Sequence, residues 1–212
     1  MKELIIYILI SLSLNTYNAD LSNILHTDYE PVKEQLEVYK HENKNEDNHN
    51  QKSLRQSLGS LHWNEANNIF PRYSVAKIID VETEKSFYVK RTFGTNHADV
   101  EPLTIEDTNV IKSIWGSVTN WDRRAVIVVI DDYKIAASMN GYAHAGLDRY
   151  PTLAVIDNRS GGFGRGQNLD MVKGNGVDGH FCIHFYGSTT HGSRQTNAAH
   201  QTQVRRAAEF LD

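Results

Sequence analysis

Residues 179–186 read Gly179-His180-Phe181-Cys182-Ile183-His184-Phe185-Tyr186. In an extended chain successive side chains point to opposite faces, so Phe181, Ile183 and Phe185 share one face and His180, Cys182 and His184 share the other. The first face is what a sheet buries against a core. The second sets a thiol between two imidazoles, roughly 7 Å from each along the strand. The segment reads as a central strand with one apolar and one chemically loaded face.

Working outward, Ser74–Val81 and Ser86–Thr92 are rich in Val, Ile, Tyr and Phe around Glu82–Lys85, a hairpin pattern. Arg124–Ile130 and Lys134–Ser138 flank Asp131-Asp132-Tyr133 as a second hairpin. Between the hairpins, Thr104 followed by Asp107 forms a capping-box start, and Val110, Ile111, Ile114 and Trp115 follow at helical spacing until Gly116. Asn197–Leu211 has an Asn cap and places Val204, Ala207, Ala208 and Leu211 on one face, an amphipathic closing helix. His200 on that helix reads as an exposed histidine. Eleven of the 14 glycines lie between Gly141 and Gly192, the composition of a loop system around a site or of tight turns between short strands. The fold class is α+β, mainly β: a central sheet or partial barrel carrying the Cys182 strand, with one internal and one C-terminal helix.

The globular pattern starts near residue 61. Before it, residues 20–60 are dominated by Asn, Glu, Lys, Gln, Ser and His, too polar to offset the entropy of ordering, and read as a disordered linker. Met1-Lys2 and the apolar run Leu4–Leu14 have the plan of a secretory signal or an N-terminal anchor over residues 1–19, too short for a bilayer span of about 20 residues. The chain therefore reads as extracytoplasmic, secreted or wall-associated, with no stable membrane span after cleavage. A formal net charge of −4 over 212 residues, without a lysine and arginine run, argues against a nucleic-acid partner.

With one cysteine no internal disulfide can form, so Cys182 is an inert buried thiol, an intermolecular bridge, a metal ligand or a nucleophile. A thiol attacks as its thiolate, and an adjacent imidazole can take its proton, so the His180-Cys182-His184 face suits acyl transfer through a thioester. The same residues with His144, His191 or His97 would also make three or four nitrogen and sulfur ligands for zinc. His97, Asp99 and Glu101 would share a face if extended, but Asn96–Glu101 reads more simply as a polar loop approaching the Thr104 cap. Gly161-Gly162-Phe163-Gly164-Arg165-Gly166 lacks the Lys-Ser/Thr of a phosphate loop and reads as a lid or hairpin turn. Trp63, Trp115 and Trp121 read as core or rim aromatics.

Gly179-His180-Phe181-Cys182-Ile183-His184, with an upstream His144 in Gly141-Tyr142-Ala143-His144-Ala145-Gly146, resembles the signature of the L,D-transpeptidases of the bacterial cell wall, the YkuD-type domains. That signature is an upstream His followed by Ser/Thr-His-Gly-Cys and an Ile or Val. Here Gly179 and Phe181 replace the Ser/Thr and the Gly, and the gap from His144 to Cys182 is about twice the usual one; an inserted hairpin formed by Tyr150–Ile156 and the Ser160–Gly166 turn would account for the added length. The region from residue 90 to 210 is also similar to extracellular domains of Gram-positive bacteria that accompany cell-wall-binding modules.

The resemblance implies that Cys182 is the nucleophile, His144 its base and His180 a supporting group. It also implies that peptidoglycan stem peptides are the partner and that no cofactor is needed. His184, His191, Tyr142 and Arg165 are then candidate substrate-binding residues, with Arg165 suited to a stem carboxylate. The leading expectation for residues 61–212 is an exported cysteine acyltransferase. A zinc-dependent cell-wall hydrolase and a non-catalytic peptidoglycan-binding domain are the alternatives.

Overall fold

A computed structural model describes residues 56–212. The expected export signal and most of the expected linker lie outside the described residues. Within them the chain order is β1 (Gln56–Gly59), α1 (Trp63–Ile69), β2 (Val75–Asp80), β3 (Ser86–Phe93), β4 (Ala98–Pro102), α2 (Ile105–Trp115), β5 (Thr119–Ile130), β6 (Tyr133–Tyr142), β7 (Val155–Arg159), β8 (Gly164–Gln167), β9 (Phe181–His184) and α3 (Ala198–Leu211).

Both expected hairpins form. Strands β2 and β3 pair antiparallel from Val75↔Lys90 to Ile79↔Ser86. Strands β5 and β6 pair antiparallel around Asp131, whose φ of 46° lets the chain reverse in two residues. The capping box of α2 is complete: Thr104 Oγ1 accepts from the Asp107 amide at 3.1 Å, and the Asp107 carboxylate accepts from the Thr104 amide at 3.1 Å. Asn197 caps α3 by accepting from the His200 amide at 3.1 Å.

Strands β6, β5, β2, β3, β4 and β9 pair antiparallel in that order, and β9 pairs back onto β6 through Ser138↔His184 and Met139↔Ile183. The α+β, mainly β class is as expected, and the expected central sheet or partial barrel is a closed six-stranded barrel. Strand β1 adds in parallel to β6 at Tyr133–Ile135, so Gln56–Gly59, inside the stretch read as linker, is already part of the sheet.

Closure sorts the alternating side chains. Ala76, Ile78, Phe87, Val89, Ala98, Val100, Val126, Val128, Ala137, Met139, Phe181 and Ile183 converge from all six strands into one core. Two helices extend this core, α1 with Trp63 and Ala66 and α2 with Ile111 and Trp115; α1 was not anticipated from the sequence. Fully burying each large apolar side chain contributes about 1.5–3 kcal/mol, so the interior supplies the main driving force for closure. The opposite face of β5 and β6 carries Ala125, Ile127, Val129 and Ala136, which pack against Ala207 of α3 with Ala208 and Leu211 alongside. The closing helix therefore lies on the outside of the barrel.

A fully buried carboxylate ties two strands together on the core-facing side of β2, in line with Ala76 and Ile78. Asp80, at the end of β2, receives Arg124 Nε at 2.7 Å and Nη2 at 2.9 Å from β5, and also the Thr83 amide and hydroxyl of the β2–β3 turn. Burial alone would raise its pKa, but the Arg124 fork and the Thr83 donors outweigh it and hold the carboxyl below its ordinary value of 3.8. Because the folded-state pKa is depressed, the contribution is present above the unfolded value and is lost as pH falls through the folded one. Asp80→Asn is expected to lower unfolding free energy by about 2 kcal/mol at pH 7, with the deficit shrinking towards pH 3. Urea titrations at the two pH values measure both parts.

Candidate functional site

The antiparallel register of β4, β9 and β6 builds a grid on the outer face of the barrel. Asp99 lies directly opposite Cys182, and Ala98 opposite Ile183, so His97 and His184 become neighbours one step along. On the other side of β9, Ser138 lies opposite His184, and Asn140, the next outward residue of β6, turns its side chain to Cys182. Beyond the strand ends, His144 and His180 form an isolated antiparallel bridge, their backbones exchanging two 3.0 Å hydrogen bonds.

The result is a buried cluster around Cys182 Sγ. His97 Nε2 lies 3.2 Å from the sulfur, His144 Nε2 3.7 Å and Asp99 Oδ1 4.0 Å. The Asp99 carboxylate also faces His97 Nε2 at 3.2 Å, His180 Nε2 at 3.6 Å and His191 Nε2 at 3.7 Å. Each of three rings is oriented from behind by a backbone carbonyl, His97 Nδ1 by Thr189 at 2.8 Å, His144 Nδ1 by Tyr142 at 2.9 Å and His180 Nδ1 by Leu169 at 3.1 Å. A carbonyl only accepts, so Nδ1 is the protonated nitrogen in all three, and Nε2 is the one presented to the thiol and the carboxylate.

Burial sets the charge states. Burial alone would raise Asp99, yet His180, His191 and His97 hold its carboxyl well below the usual carboxylate range. Burial and then the Asp99 charge push the Cys182 thiol well up, with the Asn140 side chain and Arg123 pulling the other way. Burial, followed by the neighbouring His180, lowers His144 to about 4, so its imidazole is neutral near pH 7 and able to accept a proton. His191 moves in the opposite direction because its hydrogen bond to Asp99 favours the charged form.

Every residue of the Cys182 strand expected on the site face is there, with different surroundings for each. Cys182, His144 and His180 come together as expected although His144 and Cys182 are 38 positions apart. The hairpin β7–β8 occupies that interval and lays Phe163 against the His144 ring at 4.9 Å. His191 reaches the cluster: its half-exposed ring sits 4.4 Å from His97 and points to Asp99. His184 is buried within a ring stack, 4.3 Å from His97 and 3.9 Å from His200. Arg165 pairs with Asp157 across the β7–β8 hairpin at 3.1 Å.

Tyr142 stacks on Trp121 at 4.3 Å and lines a cavity of about 400 Å³ together with Val118, Asp148, Ser160, Gly161 and Asp178. Trp121 is 43% exposed and lies 5.6 Å from His144. Trp121, Tyr142 and Phe163 thus form an aromatic cradle beside His144, next to the cavity.

Two sequence readings are corrected. Asn96–Glu101 is not simply a polar loop leading to a cap: Ala98–Pro102 is strand β4, wholly buried, and it delivers His97 and Asp99 to the site. Glu101 on the same face has a separate task, accepting the Met171 and Val172 amides at 2.9 Å and 2.7 Å. His200 is not exposed but 3% accessible, with Nδ1 2.8 Å from Ser138 Oγ. Sequence reasoning did not single out Asn140. The signal that could have found it is the alternation Ser138-Met139-Asn140, which sets two polar residues on the face opposite the core residue Met139.

The Gly179 departure from the resembled signature has a local cause. Gly179 has φ of 88°, and a Cβ there would drive into the His144 carbonyl that bonds the His180 amide. A Ser or Thr cannot stand where this bridge draws the two strands so close. Compared with known proteins, the chain matches no family profile, and no curated protein or solved structure matches it.

Gly162 supplies a control, because it also has a positive φ of 76° but open space around a would-be Cβ. Gly179→Ala is expected to cost about 2 kcal/mol more than Gly162→Ala, since both carry the left-handed penalty and only the first adds a backbone clash. For a domain of this size that separates the two melting temperatures by roughly 4–8 °C, readable by thermal unfolding.

Proposed function

We propose that the protein is an exported cysteine acyl-transfer enzyme acting on stem peptides of the cell wall. The observation that carries the reading is the neutral His144 imidazole, with Nε2 3.7 Å from Cys182 Sγ, brought there by the His144–His180 bridge from 38 residues away. The substrate class and the export rest on the resemblance to L,D-transpeptidases and on the apolar leader.

His144 Nε2 takes the Cys182 proton, and the thiolate attacks a peptide carbonyl carbon. As the C–N bond breaks, the imidazolium returns its proton to the leaving amine, and the acyl group remains on sulfur as a thioester. A second amine, or water, then attacks the thioester carbonyl and gives its proton to His144. The C–S bond breaks, and the sulfur leaves as thiolate and recovers the proton from the imidazolium.

The other groups serve this cycle. Asn140 uses its Oδ1 to accept the Tyr142 amide at 3.1 Å, leaving its NH₂ end for the sulfur. Asp99 fixes His97 and His180 around the thiol. The aromatic cradle of Trp121, Tyr142 and Phe163 suits the flat, partly apolar faces of a peptide chain. Asp148 and Asp178 in the adjoining cavity suit the ammonium group of an incoming amine.

The test is incubation of purified sacculi, and of a synthetic stem peptide, with wild type, Cys182→Ala and His144→Ala, followed by mass spectrometry of the peptide products. Wild type is expected to generate cleaved or rejoined stems and to carry an acyl adduct on Cys182. Cys182→Ala should yield none, and His144→Ala should be slower by about 10²–10⁴-fold, the usual contribution of a positioned base. Product formation by Cys182→Ala at the wild-type rate would overturn the reading, and binding of sacculi without any product would favour the wall-binding alternative.

A further inference from the structure

We infer that the same cluster is a zinc-class metal site in which His97, Asp99 and Cys182 hold one divalent ion and thereby lock the nucleophile in a resting, unreactive form. The locking rests on the acyl-transfer reading above; the metal site itself does not.

His97 Nε2, Asp99 Oδ1 and Cys182 Sγ form a triangle with edges of 3.2, 3.2 and 4.0 Å. Zinc bonds of about 2.0–2.1 Å to nitrogen or oxygen and 2.3 Å to sulfur, at tetrahedral angles, require ligand separations of about 3.3–3.6 Å. The three atoms are therefore within about half an ångström of a ligand set, and all three residues are buried.

The Thr189 carbonyl faces His97 Nδ1 at 2.8 Å, which directs Nε2 at both the Asp99 carboxylate oxygen and Cys182 Sγ, 3.2 Å from each. A divalent ion set among these three converging atoms would take nitrogen, oxygen and sulfur as its donors at once. The Thr189 bond is also the usual outer support of a metal-bound imidazole, fixing tautomer and ring direction.

His144, His180 and Cys182 form another possible trio sharing the same sulfur, but it offers a single negative charge, the thiolate. The trio with Asp99 offers two and neutralises the ion fully. Binding releases the thiol proton to solvent as the metal–sulfur bond forms. The fourth position is left to solvent or to a neighbour, and the half-exposed His191, 3.7 Å from Asp99 Oδ1, stands on the solvent side. A sulfur lone pair committed to zinc is unavailable for attack on a carbonyl, so metal and peptide compete for Cys182.

The test uses the full-length protein, stripped with a chelator and titrated with cobalt(II) or zinc(II). One equivalent of cobalt should bind and give a thiolate-to-cobalt charge-transfer band in the near ultraviolet, and one equivalent of zinc should slow iodoacetamide alkylation of Cys182 at least tenfold, reversibly on adding chelator. Asp99→Asn and His97→Gln, each checked for folding by circular dichroism, should weaken metal binding at least tenfold, while His144→Ala should retain it. Absence of the charge-transfer band in folded wild type would overturn the site. Loss of binding in His144→Ala with retention in Asp99→Asn would overturn this choice of ligands. If metal binds as described but only the zinc-loaded form cleaves stem peptides, the site stands, and the locking and the acyl-transfer reading both fail.

Discussion

Strand β9 is four residues long and pairs on both edges, with β4 on one side and β6 on the other. Everything else about the molecule depends on that double pairing. It closes the barrel, so Phe181 and Ile183 enter a core built from all six strands, and it fixes what stands beside Cys182. Side-chain direction alternates with a period of two, so a slip of one residue against either neighbour would put Cys182 into the apolar interior and Ile183 among the histidines. The apolar partners on one face thus enforce the register that assembles the polar group on the other.

The polar face is held at a cost that the surrounding backbone offsets. Four imidazoles, a carboxylate and a thiol are removed from water there, and a buried polar group without a partner is destabilising. The rings of His97, His144 and His180 meet backbone carbonyls from three separate segments at Thr189, Tyr142 and Leu169, and Asp99 gathers the opposite sides of His97 and His180 together with His191. His184 differs, since its Nδ1 is buried without a hydrogen-bond partner and its ring is held by stacking between His97 and His200. Through that stack the outer helix α3 is coupled to the site as well as to the barrel wall.

The local features of this fold were legible in the sequence and the long-range ones were not. Both hairpins, the Thr104 capping box, the Asn197 cap and the two faces of the Cys182 strand follow from spacing and residue type within about a dozen positions. The identity of β4 does not. Asn96–Glu101 alternates His, Asp and Glu with Ala and Val, a pattern that reads as polar until the opposite strand is known to carry Cys182. The assignment of His200 as exposed failed for a related reason: its helical position was correct, but nothing within the helix discloses Ser138 and His184 beneath it. His144 was identified through a resemblance, and the 3.7 Å approach to Cys182 required the β7–β8 hairpin to leave the bridge to His180 intact. Closure of the sheet rests on two residue pairs between β6 and β9, too slight a contact to predict from either strand alone.

The sequence separations at the cluster have a bearing on how the protein matures. His97 and Asp99 lie 85 and 83 positions from Cys182, and His144 lies 38 away. Contacts this distant form late, since the loops they close carry an entropic penalty that only the assembled sheet repays. Until the last strand docks, Cys182 is an ordinary thiol in an unstructured segment, with neither its imidazoles nor its carboxylate beside it. The special environment of the sulfur is therefore a product of completed folding, and a chain still unfolded after synthesis carries its cysteine through that interval without the neighbours that distinguish it.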